Sequence, residues 1–202
     1  MATRSSSERY RLSFTSGVLF LQSAPLASKL FGELGDWAMV RDSIDASNLM
    51  QARTASSGRR QGRELVQRLQ ELSEVELDLL IDATADERAQ LMWVATCRRY
   101  ELIAEFAEEV LRERFLLMAP DISAEHFDAF VRGKMLWHPE VAELEESTLR
   151  KLRTTLFQML QQAGLVTVDG IIVPTLLSAR VREELEKRNP SDVRLFPTRE
   201  AA

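Results

Sequence analysis

Residues 86–118 read D-E-R-A-Q-L-M-W-V-A-T-C-R-R-Y-E-L-I-A-E-F-A-E-E-V-L-R-E-R-F-L-L-M. Leu91, Met92, Trp93, Val94 and Ala95 leave no polar side, and further on Ile103, Phe106, Ala107, Val110, Leu111 and Phe115 settle into helical spacing. A helix that is apolar on most sides is buried on most sides. The stretch is therefore predicted to be a central pillar, broken once near Arg98. Arg98 and Arg99 are expected to pair with Glu101, Glu105 or Glu108 in a structural role. Cys97, inside this helix, reads as a small core residue, and Pro120 stops the run.

The composition agrees with a helical class. Eight glycines and six prolines in 202 residues are few for a loop-rich all-β chain, and Leu, Ala, Glu, Arg and Gln dominate, all good helix formers. The length allows one large domain or two small ones. We divide it at 1–85, an N-terminal helical domain, and 86–202, the pillar with a C-terminal domain. The single cysteine forms no internal disulfide, so a reducing cytoplasm is expected. Phe14 to Phe31, the most membrane-like run, is broken by Ser16, Gly17, Gln22, Ser23, Pro25 and Lys29, and falls short of the ~20 apolar residues of a span.

Ahead of the pillar, residues 1 to 9 are expected to fray. Ser13, Thr15 and Ser16 are candidate caps for a helix carrying Val18 to Leu21, with Pro25 in a turn or opening a second helix. That second helix carries Leu26, Leu30, Phe31 and Leu34, and Gly35 ends it. Asp36 caps a short helix from Trp37 to Ile44. After a turn around Asp45 to Asn48 comes Q-A-R-T-A-S-S-G-R-R-Q-G-R-E-L-V-Q-R, residues 51–68. Ala55, Gly62, Leu65, Val66, Leu69 and Leu72 give this stretch a helical stripe, with Thr54 or Ser56 as its cap. A short helix, a turn and an arginine-bearing helix follow the order of a helix-turn-helix. Leu72 to Asp82 is an acidic amphipathic segment capped by Ser73.

Between Asn48 and Arg63 there are four arginines and no acid, in a chain of net charge −5. Arg53, Arg59, Arg60 and Arg63 present planar forks suited to phosphate oxygens, and Thr54, Ser56 and Ser57 can add small donors. The helix start they surround is itself a ready anion site. Gly58 and Gly62 would allow a close approach of a nucleic-acid backbone. The bland alternative is a solvated face whose arginines pair with the acids of residues 71–86.

Beyond Pro120 the plan changes. Ser123 opens a helix to about Met135, His138-Pro139 a short one to about Glu145, and Ser147 or Thr148 a third through Ala163, stopped by Gly164. Then L-V-T-V-D-G-I-I-V-P, residues 165–174, places Asp169-Gly170 between β-branched runs, a strong hairpin signal. Three helices followed by one small β-hairpin is the order of a winged helix. Its recognition helix would show Arg150, Lys151, Arg153, Thr154, Gln158 and Gln161, of which Arg150, Lys151 and Arg153 form a second nucleic-acid contact. Glu143, Glu145 and Glu146 would repel phosphate there, so a protein contact is an equal reading. A charged helix from Ser178 to Arg188 ends at Asn189-Pro190, and Leu195, Phe196 and Pro197 are expected to dock on the body.

No catalytic constellation is present. His126 and His138 lack metal-ligand spacing with each other or with Cys97. There is no phosphate loop, no dinucleotide fingerprint and no nucleophile elbow, so no cofactor and no metal are expected. Tyr10, Phe14 and Phe20 could stack on bases, but core packing is the better reading.

Several runs carry a resemblance. Y-R-L-S-F-T-S-G-V-L-F from Tyr10, E-L-G-D-W-A-M-V-R at Glu33, N-L-M-Q-A-R-T-A-S-S at Asn48, C-R-R-Y-E-L-I-A-E-F at Cys97, W-H-P-E at Trp137 and L-F-Q-M-L-Q-Q-A-G-L at Leu156 together resemble the BrxA family of bacterial BREX (bacteriophage exclusion) systems. The resemblance implies a non-enzymatic, DNA-binding member of a multi-protein defence complex, with other BREX proteins as partners. The residues leave open a protein-protein scaffold or adaptor, or an RNA-binding helical protein. The expected whole is an all-α, cytoplasmic protein with a helix-turn-helix-like N-terminal part and a winged-helix-like C-terminal part, binding duplex DNA and not a membrane.

Overall fold

The computed structural model describes residues 9–14 and 18–199. Thr15, Ser16 and nearly all of the stretch expected to fray lie outside them. The elements are α1 (Ala24–Leu34), α2 (Trp37–Ala46), α3 (Ala55–Leu69), α4 (Glu74–Asp82), α5 (Ala85–Arg99), α6 (Glu101–Phe106), α7 (Glu113–Leu116), α8 (Ala124–Met135), α9 (Pro139–Ala142), α10 (Glu146–Gln162) and α11 (Ala179–Glu186). A π-helical segment, Ala107–Arg112, joins α6 to α7, and a 3-10 turn covers Asp192–Leu195. The described chain is all-α, and no helix in it is long and apolar enough to cross a membrane.

The pillar is present with its break. α5 ends at Arg99, and Tyr100 turns to an extended conformation before α6 begins. Every residue from Ala89 to Cys97 is buried. Burial also holds the Cys97 thiol well above its ordinary range, which suits an inert core position. Trp93 lies at the centre and donates its indole N–H to Leu195 O at 3.0 Å, so the C-terminal segment docks as expected, with Leu195 and Phe196 fully buried. Tyr10, Phe14 and Phe20 are all core residues.

Arg98 is structural, but its partners are not those expected. Its fork clamps Glu76 of α4 at 2.6 and 2.7 Å, and its Nε donates to Asp192 at 2.8 Å. Arg99 reaches Glu71 at 3.6 Å. The acids expected to serve, Glu101, Glu105 and Glu108, lie further along the pillar. The helix break at Tyr100 turns both arginines toward α4 and the C-terminal segment instead.

The helix expected over Val18 to Leu21 does not form. Phe20 sits at φ +56°, a conformation that no helix continues through. The backbone on either side is claimed by other helices: Leu19 N–H donates to Gln162 Oε1 at 2.9 Å, and Val18 O accepts from Arg68 at 2.9 Å. Pro25 does stand in the first turn of α1, as its missing N–H favours.

The hairpin expected at 165–174 is reduced to a chain reversal, with no strand among the described residues. Val166 bridges Ile172, and Asp121 bridges Ile171, each pair antiparallel and isolated. Two local features stop the ladder. The Ile171 N–H goes to the Thr167 hydroxyl at 3.1 Å, and Pro174 has no N–H to give. The segment before α8 supplies other partners: Ile122 N–H donates to Gly170 O and Ile172 N–H to Pro120 O, both at 2.9 Å. Gly170 has φ +81°, and a Cβ there would lie 2.4 Å from Ile122 O. Gly170→Ala should therefore destabilise the protein by about 1–3 kcal/mol, seen as a lower midpoint in chemical denaturation with unchanged slope.

Acid should destabilise the fold through buried carboxylates. Glu87 accepts from Arg180 at 2.6 and 2.8 Å and from Thr84 N–H at 2.9 Å. The Arg180 bonds hold its pKa far below the ordinary carboxylate range. Glu76 is also held low: burial pushes it up, and the Arg98 clamp outweighs that. A depressed folded pKa gives stability that is complete above the unfolded value, about 4.3 for Glu, and lost as pH falls through the folded value. The thermal midpoint should hold from neutral pH down to about that value and fall below it. In Glu87→Gln the midpoint at neutral pH should be lower and its acid loss shallower.

Candidate nucleic-acid interface

α3 begins where its sequence chemistry places it. Thr54 is the N-cap, in extended conformation, and its Oγ1 accepts from Ser57 N–H at 3.2 Å. Asn48 and Gln51 hold positive φ in the preceding turn, and Asn48 Oδ1 accepts from Ala52 N–H at 3.2 Å. Eight residues, 47–54, separate α2 from α3. A helix-turn-helix joins its helices through three or four, so the expected order is present without the tight turn.

Arg53, Arg59, Arg60 and Arg63 are all exposed. At about 100° per residue, Ser56, Arg59, Arg60 and Arg63 share an arc of roughly 100° on α3, away from buried Leu65 and Leu69. Arg53, Arg59 and Arg63 form no ion pair with any carboxylate among the described residues, so the acids of residues 71–86 do not neutralise them. Asp45 is the acid that α2 brings beside Gly62: its Oδ1 would stand 3.7 Å from a Cβ at that position. Thr54 and Ser56 hydroxyls lie 3.3 Å apart, and Gln61 Nε2 donates to Ser57 at 3.5 Å. The small donors are thus partly used within the cap.

Gly62 has a different explanation from the one its sequence suggests. It is buried, and a Cβ there would lie 3.0 Å from Ile44 Cγ2. The missing side chain lets α2 and α3 approach each other. It is not a contact point for an outside backbone.

The second cluster is less open. Lys151 is exposed and forms no ion pair among the described residues. Arg150 pairs with Glu146 at 3.2 Å on the surface, a weak restraint. Arg153 is committed, its Nη1 bonding both oxygens of Asp128 at 2.7 and 2.8 Å.

Arg68 is the residue that sequence reading passes over. Its side chain is fully buried, with Nε bonded to Glu64 at 2.8 Å and Nη1 donating to Val18 O and to Thr96 Oγ1 at 3.2 Å. It stacks over the rings of Phe20 and Tyr100, at 5.2 and 5.8 Å. Tyr100 OH donates to the same Glu64 at 2.6 Å, and burial with that carboxylate pushes its pKa up to about 12. The available signal was position: Arg68 stands between Leu65 and Leu72 on the apolar side of α3, four residues after a glutamate.

Fold and surface together define an all-helical protein that presents a capped, arginine-bearing helix start from an acidic chain. A family model for BrxA matches residues 8–189. The chain belongs to the BrxA family. It is similar to a BREX protein BrxA from Paramagnetospirillum magneticum, 22% identical over 159 residues, covering 79% of this chain and 80% of the relative. It is also similar to a BREX protein BrxA from Escherichia coli, 24% identical over 126 residues, covering 62% of this chain and 59% of that relative. The fold matches the crystal structure of an uncharacterized protein from Magnetospirillum magneticum with a TM-score of 0.81 and 20% identity, over 94% of this chain and all of the other.

Proposed function

We propose that this chain is a non-enzymatic, cytoplasmic DNA-binding component of a bacterial BREX phage-defence system, working with other BREX proteins. It grips duplex phosphates at the start of α3. One observation carries the reading: Arg53, Arg59 and Arg63 stand exposed around a capped helix start, with no ion-pair partner among the described residues, in a chain of net charge −5. Arg60, with donors from Thr54, Ser56 and Ser57, completes the contact. Phosphate contacts give affinity without sequence choice. In this reading residues 1–85 hold the main contact, and residues 86–202 hold the pillar and the winged-helix-like part. Duplexes of unrelated sequence should bind with similar affinity in a fluorescence anisotropy titration. No duplex binding at low salt would refute the reading, and tighter binding of single-stranded RNA would favour the RNA alternative.

A second reading concerns residues 121–173. With Arg153 bonded to Asp128, and Leu136, Trp137 and Val168 each more than three-quarters exposed, this part suits a protein contact better than a groove of DNA. A partner interaction that survives nuclease treatment and fails in Trp137→Ala would support it.

A further inference from the structure

A pocket of about 360 Å³ opens where the helix break at Tyr100 meets the N-terminal segment and the loop after α11. Six arginines line it: Arg9, Arg11, Arg98, Arg99, Arg188 and Arg194. Three carboxylates line it with them, Glu71, Glu101 and Asp192. An excess of cation in a concave wall is unusual for a chain whose overall charge is negative.

The six arginines divide into two sets. Arg98 and Arg194 are buried and saturated. Arg98 holds Glu76 and Asp192, and Arg194 holds Glu108 at 2.9 Å and Asp192 at 3.0 Å. They form a rigid base. The other four are poorly compensated. Arg11 and Arg99 share one carboxylate, Glu71, at 3.9 and 3.6 Å. Arg188 donates to Glu71 O at 3.4 Å and stands 3.9 Å from Asp192, which already serves both buried arginines. Arg9 has no ion-pair partner among the described residues. The Nε–H of Arg99 is buried with no acceptor among the described residues, as is that of Arg88 outside the pocket.

We infer that this pocket binds a small phosphoanion carrying two or more phosphoryl groups, of the pyrophosphate or nucleoside diphosphate class, held by Arg9, Arg11, Arg99 and Arg188. Guanidinium forks match phosphoryl oxygens in charge and geometry. A volume of about 360 Å³ leaves room for more than one phosphoryl group. It lies in the range of small-molecule sites. A duplex is instead gripped from an exposed face, and α3 presents one.

The test is isothermal titration of the full chain with sodium pyrophosphate at fixed ionic strength, with thermal midpoint followed in parallel. Saturable binding and a midpoint that rises with pyrophosphate are expected. Arg11→Ala with Arg188→Ala should weaken binding at least about tenfold. Both side chains are more than half exposed, so this variant should keep its fold. Absence of saturation, or equal affinity in the double variant, overturns the assignment. So does displacement of pyrophosphate by a short duplex, which would make the pocket part of a nucleic-acid contact. Duplex binding through α3 should survive in the double variant, so the two proposals fail separately.

Discussion

Replacing Arg53, Arg59, Arg60 and Arg63 together with alanine should remove most duplex affinity and flatten its dependence on salt. Each phosphate contact contributes about −0.9 to the slope of log K against log salt, so four contacts give roughly −3.6. Wild-type affinity should then fall roughly 150-fold between 50 and 200 mM salt. The quadruple variant should retain only the shallow slope of whatever contacts remain, and single replacements should each lower the slope by about 0.9. All four arginines are exposed, so the loss should not come from unfolding. Exposed substitutions of this kind usually change stability by no more than about 0.5 kcal/mol, and circular dichroism would confirm it. A quadruple variant that kept the wild-type slope would move the contact elsewhere, with Lys151 and Arg150 the first candidates.

The parts of the fold legible in sequence are those set by local chemistry. Caps are the clearest case. Asp36, Thr54 and Ser73 each accept the N–H groups their residue types favour, and the helices begin one residue later. The pillar was legible because five consecutive apolar residues leave a helix no solvent side. Illegible parts depend on distant partners. Nothing near Phe20 announces a positive φ, which accompanies side chains of α3 and α10 capturing the backbone at Val18 and Leu19. Asp169-Gly170 did mark a reversal, but its partners at Pro120 and Ile122 lie some fifty residues away in the chain. The candidate site divides in the same way. An arginine run without acids is visible in any sequence. The capture of Arg153 by Asp128, and the convergence of Arg9, Arg99 and Arg188 on one pocket, require the tertiary fold.

Arg68→Met should be the most destabilising single change on α3, costing about 3–5 kcal/mol. The cost comes from breaking one side of a buried pair. Arg68 is fully buried and Glu64 is only 15% exposed, so their charges were taken out of water together. Removing the cation leaves the carboxylate with a single described donor, Tyr100 OH, and strips Val18 O of its own. For a chain of this size each kcal/mol moves the thermal midpoint about 2–4 °C, so a fall of roughly 6–20 °C is expected. Glu64→Gln should also destabilise, yet the double variant Arg68→Met with Glu64→Gln should lose less than the sum. A coupling of about 1–3 kcal/mol in that cycle would mark a true pair. Additive losses would instead assign the cost to packing against Phe20 and Tyr100. The same variant separates anchoring from contact. At a temperature where Arg68→Met remains folded, it should bind duplex with the wild-type salt slope, since a guanidinium buried against Thr96 and Met159 cannot reach a phosphate. A slope lowered by one contact would place Arg68 in the interface and require α3 to open its inner face on binding.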